Sequence, residues 1–253
     1  MNFHIITLFP DAFDSYLGES ILKRAIQGIK PRRPKGSGSR PKASGKIKVA
    51  FYNPRDFSDN KFRHIDRPPY AGGPGMVIQA EPVAHAIDAA FRKIEKRKVA
   101  RGILATKAKV KIIFFSPSGK QFTTDYAKKT AQKFTDIILI CGRYEGIDAR
   151  VKKIFSASSD GSAFGGKLDE VSVGPYILTG GELPAMILID CLARQVEGVL
   201  GNFSSLEESR TASPDVYTRP EVLEYKGKKY RVPKVLLSGD HKKIEEWKSK
   251  NKK

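Results

Sequence analysis

Short apolar segments alternate with amphipathic segments through most of the chain, and this alternation constrains the fold more than any other feature. Predicted strands, rich in β-branched and aromatic residues, cover residues 3–9, 47–52, 111–115, 136–141 and 171–178. Predicted helices with an apolar face cover residues 12–29, 81–98, 123–134, 145–154 and 183–196. Because the strands are apolar on both faces, the sequence predicts an α/β fold with a mostly parallel sheet covered by helices on both sides.

The chain is expected to divide into a large domain and a small C-terminal segment. The α/β domain is predicted to cover residues 1–201, with a basic loop insertion at about 30–46 and a mobile Ser/Gly-rich insertion at about 156–167. A linker at 202–216 leads to a polar segment, 217–253, that contains a short amphipathic helix. The basic insertion holds seven basic residues and no acidic one, so it serves either as a solubilising linker or as a contact for phosphate.

The chain carries a large excess of positive charge. Lys and Arg number 46 against 27 Asp and Glu, which gives a formal net charge of +19. A protein this basic usually binds a polyanion, because neutralising phosphates releases their counterions; the alternative is a basic surface without such a partner. Cys141 and Cys191 form neither a metal-ligand spacing nor a disulfide framework, and no apolar run or signal peptide points to a membrane. We therefore expect a cytoplasmic protein with no membrane partner.

Glycine-containing loops follow three of the predicted strands. They read SPSGK (116–120), CGRYEGID (141–148) and LTGGELP (178–184). Ligands of open α/β sheets bind at the carboxyl ends of the strands, and glycine lets the backbone approach a ligand closely. None of the loops matches the phosphate-binding or dinucleotide-binding glycine motifs, so a nucleoside without a triphosphate is the expected ligand. A further loop, GGPGM (72–76), follows basic and aromatic residues that suit contact with RNA, namely His64, Arg67 and Tyr70.

Six segments in a fixed order resemble the bacterial tRNA (guanine-N1)-methyltransferases of the TrmD type. They are YAGGPGM (70–76), CGRYEGID (141–148), SVGPYILTGGELPA (172–185), EGVLG (197–201), YTRPEV (217–222) and VPKVLLSGDH (232–241). The resemblance implies a SPOUT-type fold with a deep trefoil knot, a rare exception to the rule against threaded chains. It also implies an obligate homodimer that transfers a methyl group from S-adenosyl-L-methionine to N1 of guanine at tRNA position 37, next to the anticodon. Magnesium use is compatible with the resemblance, but no carboxylate cluster in the sequence marks a metal site.

Position by position, the resemblance assigns cofactor-binding residues to the three strand-end loops. They are Phe115, Ser116, Pro117 and Gly119; Gly142, Arg143, Tyr144, Glu145 and Gly146; and Ser172, Val173, Gly174, Tyr176, Leu178, Gly180, Gly181 and Pro184. The chemistry of these residues agrees with that assignment. Backbone groups can hydrogen-bond adenine and ribose, apolar side chains such as Phe115 and Tyr176 can pack against adenine, and Glu145 offers a carboxylate to a cationic ligand.

The resemblance also implies an acidic general base and an assisting arginine, and here the sequence departs from the family. Guanine N1 carries a proton near neutral pH, so a base should remove it as the bond to the methyl group forms. Arg194 matches the arginine, which would stabilise charge developing on the neighbouring carbonyl oxygen. The family's Asp, four residues before the Tyr of YTRP, is replaced by Ser213. We expect Asp215 to act as the base; otherwise catalysis relies on another group.

Two further departures concern the cofactor loops and the C-terminal segment. Pro175 stands where the family usually has an acidic residue beside the methionine moiety. The resemblance implies that 217–253 is a short C-terminal tRNA-binding segment. It stops soon after Trp247, where family members usually continue with further helices that grip tRNA. We expect the basic insertion at 30–46 to replace part of those phosphate contacts.

Other functions are compatible with parts of this pattern. An RNA methyltransferase of the same fold with a different target nucleotide would share the loops. A catalytically inactive RNA-binding protein would explain the missing Asp but not the intact cofactor loops. A nucleotide-hydrolysing protein is excluded because the phosphate-binding loop motif is missing from the sequence.

Overall fold

The computed structural model describes residues 1–28, 45–70, 72–100, 102, 109–156, 168–200 and 215–250. The chain forms two compact units, Met1–Leu200 and Gly201–Lys253. Most of the basic insertion, most of the insertion at 156–167 and most of the predicted linker, including Ser213, lie outside the described residues. None of the described helices is long and apolar enough to span a membrane.

A sheet of five parallel strands forms the centre of the first unit. Its strands, in chain order, are β1 (Asn2–Ile6), β2 (Lys48–Tyr52), β5 (Val110–Gln121), β6 (Asp136–Ile140) and β7 (Leu168–Ser172). Their order across the sheet is β2-β1-β6-β5-β7. Each neighbouring pair is parallel. Two short strands, β3 (Asp66–Arg67) and β4 (Val77–Ile78), form a separate antiparallel pair. The predicted fold class, α/β with a mostly parallel sheet, is confirmed.

Helices cover both faces of this sheet. In chain order they are α1 (Asp14–Leu17), α2 (Ser20–Gln27), α3 (Ala80–Ala100), α4 (Thr124–Lys133), α5 (Arg150–Ser156) and α6 (Glu182–Arg194). The fully buried strand β6 shows the two-sided packing most clearly. Its Ile137 and Leu139 join the core beneath α6, whereas Ile138 and Ile140 join the core beneath α3. Residues 137–140 must therefore all be apolar, because successive side chains enter opposite cores.

The structure corrects the predicted boundaries of β5 and β7. The segment 116–120, predicted as a loop, lies within β5, whose register against β7 shifts between Phe115 and Lys120. Conversely, β7 ends at Ser172 rather than at residue 178. The Ser172 hydroxyl donates to the Gly174 carbonyl at 2.9 Å and accepts from the Gly174 N–H at 3.2 Å, so the chain turns away from the sheet there. Both deviations leave irregular backbone at the carboxyl edge of the sheet.

Two predicted helices begin or break elsewhere than the apolar spacing indicates. The helix predicted at 145–154 begins only at Arg150, whose N–H donates to the Asp148 carboxylate at 2.9 Å. Gly146 before it has φ +119°, outside the helical region. The helix predicted at 12–29 is divided into a 3-10 turn, Pro10–Phe13, followed by α1 and α2. Spacing of apolar residues therefore located the helices but not their ends.

A buried polar network lies at the end of β6 opposite the glycine-rich loops. The Asp136 carboxylate accepts hydrogen bonds from His4 Nε2 at 3.2 Å and from Arg97 at 2.6 and 2.7 Å. Thr135 donates to the same carboxylate at 2.8 Å. His4 Nδ1 lies 2.9 Å from the Tyr52 hydroxyl, so one neutral tautomer of the ring satisfies both contacts. The network therefore joins β1, β2, β6 and α3.

The second unit combines a hairpin with two helices. The hairpin consists of β8 (Val222–Tyr225) and β9 (Lys228–Arg231), and α7 (Lys234–Leu237) and α8 (His241–Lys250) follow it. The predicted amphipathic helix is α8, whose first-turn N–H groups at Lys242 and Lys243 donate to the Asp240 carboxylate. The sequence pattern did not predict the hairpin, because its side chains lack the regular apolar-polar alternation of a half-buried strand.

Candidate functional site

A cleft of about 310 Å³ opens at the carboxyl edge of β5, β6 and β7. Its walls are the irregular segment of β5, the loop after β6 and the loop between β7 and α6. This is the edge at which open α/β sheets bind their ligands. The volume lies at the lower end of the range for small-molecule sites.

Sixteen of the seventeen predicted cofactor residues line the cleft. Those lining it are Phe115, Ser116, Pro117, Gly142, Tyr144, Glu145, Gly146, Ser172, Val173, Gly174, Tyr176, Leu178, Gly180, Gly181 and Pro184. Arg143 is the sixteenth. The lining also includes three residues that had not been predicted, Val171, Ile177 and Thr179. Ile177 and Thr179 lie in the loop after β7, so treating that loop as a continuous wall would have included them, whereas Val171 lies in β7 itself.

Gly119 is the predicted residue outside the lining. A Cβ at this position would lie 2.6 Å from the backbone nitrogen of Val171 in β7. Gly119 therefore lets β5 approach its neighbour strand where the register shifts. This is a packing role, and it holds the irregular segment of β5 at the cleft.

The loops after β6 and before α6 contact each other backbone to backbone. The Gly181 N–H donates to the Gly142 carbonyl at 2.9 Å, and Arg143 and Gly180 form an isolated antiparallel bridge. A Cβ on Gly181 would lie 2.6 Å from Cys141 Cα, whereas a Cβ on Gly142 would meet only the Ile147 side chain, at 3.6 Å. The glycine at 181 is therefore required by the close approach, and the one at 142 is not.

An ion pair between Glu182 and Arg143 links the same two loops through their side chains. Glu182, at the first turn of α6, is buried, and its Oε1 accepts a hydrogen bond from the Thr7 hydroxyl at 2.8 Å. Its Oε2 lies 3.0 Å from Arg143 Nε, but neither atom completes a hydrogen bond there. Arg143 also donates to the Thr179 carbonyl at 3.3 Å, and its guanidinium lies 4.6 Å from the centre of the Phe9 ring. Arg143 therefore links both cleft loops to the segment after β1.

Glu145 connects the cleft to the GGPGM loop. Gly75 has φ +89°, and a Cβ there would lie 2.5 Å from Glu145 Oε1. The Glu145 N–H donates to the Met76 carbonyl at 3.1 Å. The Glu145 carboxylate thus lies against Gly75 and occupies the space that a side chain at position 75 would need. The GGPGM loop is consequently part of the structure that supports the cleft wall, whereas RNA contact by the preceding residues His64, Arg67 and Tyr70 stays a prediction.

Aromatic side chains near the cleft are open to solvent. Tyr176 and Tyr144 are 51% and 53% exposed, and Ile177 is 87% exposed. The Tyr176 hydroxyl donates to the Val173 carbonyl at 3.2 Å, and its ring lies against Gly174. The cleft therefore offers apolar surfaces, backbone polar groups and one accessible carboxylate, a combination suited to a nucleoside with a positively charged substituent.

The residues predicted for catalysis lie in different units. Arg194 is the last residue of α6 and does not line the cleft. One turn earlier, the Asp190 carboxylate accepts a short hydrogen bond from Tyr16, which raises the pKa of that tyrosine to about 12. Asp215 is the first described residue of the second unit and is exposed. Their pairing at one site stays a prediction.

Comparisons with known proteins agree on one family. The family model described as tRNA (Guanine-1)-methyltransferase TrmD matches residues 1–253. A tRNA (guanine-N(1)-)-methyltransferase of Pseudoalteromonas atlantica is 40% identical over 98% of this chain and 78% of its own length. The protein of the same name from Clostridioides difficile is 39% identical over 98% of this chain and 90% of its own length.

Proposed function

The chain belongs to the tRNA (guanine-1)-methyltransferase family, and we propose that it methylates N1 of guanine at tRNA position 37, next to the anticodon, with S-adenosyl-L-methionine as donor. The observation that carries this proposal is the cleft, because loops distant in sequence meet there. Sixteen residues assigned by resemblance alone line a single space. The net charge of +19 supports a polyanionic substrate.

The residues of the cleft fit the adenosyl donor. Bound there, S-adenosyl-L-methionine would supply a methyl group carried by a positively charged sulfur. The loops that contain Gly142 and Gly180 would present backbone donors and acceptors to the nucleoside, and Phe115 and Tyr176 would cover its apolar faces. Glu145 would offset the positive charge. Pro175 offers no charge of its own beside the donor, so Glu145 and backbone carbonyls would carry that task.

We place the base that removes the proton from guanine N1 outside the cleft lining. We assign this role to Asp215 and assign to Arg194 the stabilisation of charge on the neighbouring carbonyl oxygen. The other carboxylates between Arg194 and Tyr217 are Glu197, Glu207 and Glu208. They are the natural competitors for the role of base, and Glu207 and Glu208 lie outside the described residues.

Single-turnover methylation of a tRNA transcript tests the assignment of the base. We expect Asp215→Ala to reduce the single-turnover rate by at least about a hundredfold, because general-base catalysis contributes about 10²–10⁴-fold. Its affinity for S-adenosyl-L-methionine, measured by calorimetry, should be unchanged. Glu197→Gln, Glu207→Gln and Glu208→Gln serve as matched controls and should retain the rate. A near-normal rate in Asp215→Ala, or a loss confined to one of the glutamate variants, would reassign the base.

We further propose a homodimer, with α6 at its interface. Leu183 and Ile187 lie one turn apart on this helix and are 55% and 41% exposed, although both are large and apolar. Their exposure supports a partner surface along α6, the helix that also carries Arg194. The trefoil knot of SPOUT proteins and a cytoplasmic location belong to the same proposal.

An inactive RNA-binding protein is the rival function. It would keep a basic surface but would have no reason to keep a cleft that fits the donor. Calorimetry with S-adenosyl-L-methionine separates the two functions, since the proposed enzyme binds the donor and the rival need not.

A further inference from the structure

The hairpin of the second unit presents two tyrosines and a lysine on one open face. Leu223 lies opposite Tyr230, and Tyr225 lies opposite Lys228. Opposed side chains of an antiparallel pair point the same way, so these four residues share one side, which we call the hairpin face. Leu223, Tyr225 and Tyr230 are 55%, 59% and 53% exposed. No core of the described chain covers this face.

The register of the hairpin is set by its two-residue turn and by an ion pair on the side opposite the hairpin face. Lys226 and Gly227 form a two-residue turn, with φ of 49° and 74°, the geometry that matches the twist of antiparallel strands. On the opposite side, Lys229 Nζ lies 2.9 Å from Glu224 Oε1. Tyr225 and Tyr230 are therefore diagonal neighbours, roughly 7–8 Å apart by the usual geometry of such pairs.

The charge around the tyrosines indicates the kind of partner. The ten residues of the hairpin include four basic side chains and one acidic side chain. Lys226 Nζ lies 5.4 Å from the centre of the Tyr225 ring, so a cation accompanies an exposed aromatic ring. A stable protein interface takes about 20–30 residues from each partner, more than the ten residues of the hairpin provide. Exposed rings flanked by cations instead suit unpaired nucleotides, whose bases stack and whose phosphates are negative.

We propose that the hairpin face binds unpaired nucleotides of the tRNA substrate by stacking bases on Tyr225 and Tyr230, while Lys226 and Lys228 contact phosphates. The proposal rests on the proposed function in taking tRNA as the RNA. A double helix does not suit this face, because its bases are stacked inside and offer no free ring faces. The anticodon loop is the unpaired segment adjacent to the proposed target base.

The test compares two double variants of the full-length protein that differ only in the aromatic ring. Tyr225→Leu/Tyr230→Leu removes both rings and keeps apolar side chains, whereas Tyr225→Phe/Tyr230→Phe keeps both rings. Affinities for a tRNA transcript and for its anticodon stem-loop are measured by fluorescence anisotropy at several salt concentrations. We expect the leucine variant to bind about 10- to 100-fold more weakly, since stacking contributes about tenfold per base. The phenylalanine variant should stay within about twofold.

Salt dependence separates stacking from charge. The leucine variant should keep the wild-type slope of log affinity against log salt, because it loses no phosphate contact. Lys226→Gln/Lys228→Gln should instead flatten that slope. If the double leucine variant also loses donor binding in calorimetry, the single variants decide, each with an expected loss of about tenfold.

Several results would overturn the proposal. They are wild-type RNA affinity in the leucine variant, an equal loss in the phenylalanine variant, and a change of oligomeric state in sedimentation, which would identify the face as a protein interface. Failure of the proposed function would look different. A wild-type protein that does not methylate guanine, but whose RNA binding depends on the two rings, would refute the methylation and leave the hairpin face standing.

Discussion

Individual residues at the cleft show how closely the backbone geometry restricts the side chains. Gly181 lies against the backbone of Cys141, so no side-chain movement can make room for a Cβ. Gly142, one residue beyond Cys141, has ordinary space. The structure therefore requires glycine at position 181 but not at position 142, although the sequence alone does not distinguish the two.

This contrast predicts different costs for the same substitution. Gly181→Ala should lower the free energy of unfolding by about 1–3 kcal/mol, the usual cost of forcing extra atoms into a packed site. Gly142→Ala should cost less than about 1 kcal/mol, because its Cβ would make only an ordinary contact. Denaturant unfolding of the two variants checks this. Equal losses in both would show that the backbone approach at Gly181 is not what requires glycine.

Glu182 gives the second prediction at this scale. Glu182→Gln can keep the hydrogen bond from Thr7 but leaves Arg143 without a carboxylate, so the two cleft loops lose their common ion pair. We expect the affinity for S-adenosyl-L-methionine to fall about tenfold, which corresponds to about 1.4 kcal/mol. Affinity for tRNA should not change. Calorimetry with the donor measures the effect.

The control for this prediction is another carboxylate of the same unit. Glu170 pairs with Lys152 at 3.2 Å and lies outside the cleft lining. Glu170→Gln should therefore leave donor affinity within about twofold, as expected for a partly exposed pair. The same loss in both variants would mean that general destabilisation, rather than the link between the loops, determines donor binding.

At the scale of elements, the Asp136 carboxylate links β1, β6 and α3. It lies at the end of β6 away from the cleft. Burial by itself raises the pKa of Asp136, but hydrogen bonds from His4, Arg97 and Thr135 and the charge of Arg97 outweigh it, and the pKa is lowered. Burial also raises the pKa of Tyr52 to about 12, so this hydroxyl stays protonated and can donate to His4 at neutral pH. The carboxylate is therefore a stabilising anion near neutral pH.

The pH dependence of unfolding tests this network. Because the folded pKa lies below the unfolded value of about 3.9, the stabilisation by Asp136 is complete above that value. It is lost as the pH falls through the lower, folded pKa. At pH 7, Asp136→Asn should cost about 3–5 kcal/mol, since Arg97 loses its partner in a largely buried pair. The difference in free energy of unfolding between wild type and Asp136→Asn, measured with denaturant, should become smaller only below about pH 4. A difference that narrows already between pH 7 and 5 would contradict the account.

The elements also show what the sequence could and could not predict. Apolar runs such as 136–141 located the central strands, because burial on both faces leaves a one-dimensional signature. The end of β7 at Ser172 was not predictable from such a run, since a local turn through the Ser172 hydroxyl ends the strand. The burial of Glu182 could not be predicted from the sequence either, because its partners Thr7 and Arg143 are distant in sequence.

At the scale of the whole molecule, the first unit holds the cleft that we propose as the donor site, and the chain carries a net charge of +19. The resemblance assigned the cleft residues, and the structure explains physically why the loops lie together. Periodicity and charge alone would have indicated only a nucleoside ligand and a polyanion partner. The role of Asp215 as the base stays a prediction.

The central claim is that this protein methylates N1 of guanine at position 37 of tRNA. The most direct measurement uses tRNA transcripts that differ only in the base at position 37, incubated with S-adenosyl-L-methionine carrying a labelled methyl group. Digestion to nucleosides then identifies the product. The account predicts N1-methylguanosine from the transcript with guanine at position 37 and no label in the transcripts with adenine, cytosine or uracil there. Label at another position, on another atom of guanine, or in no transcript at all would contradict it.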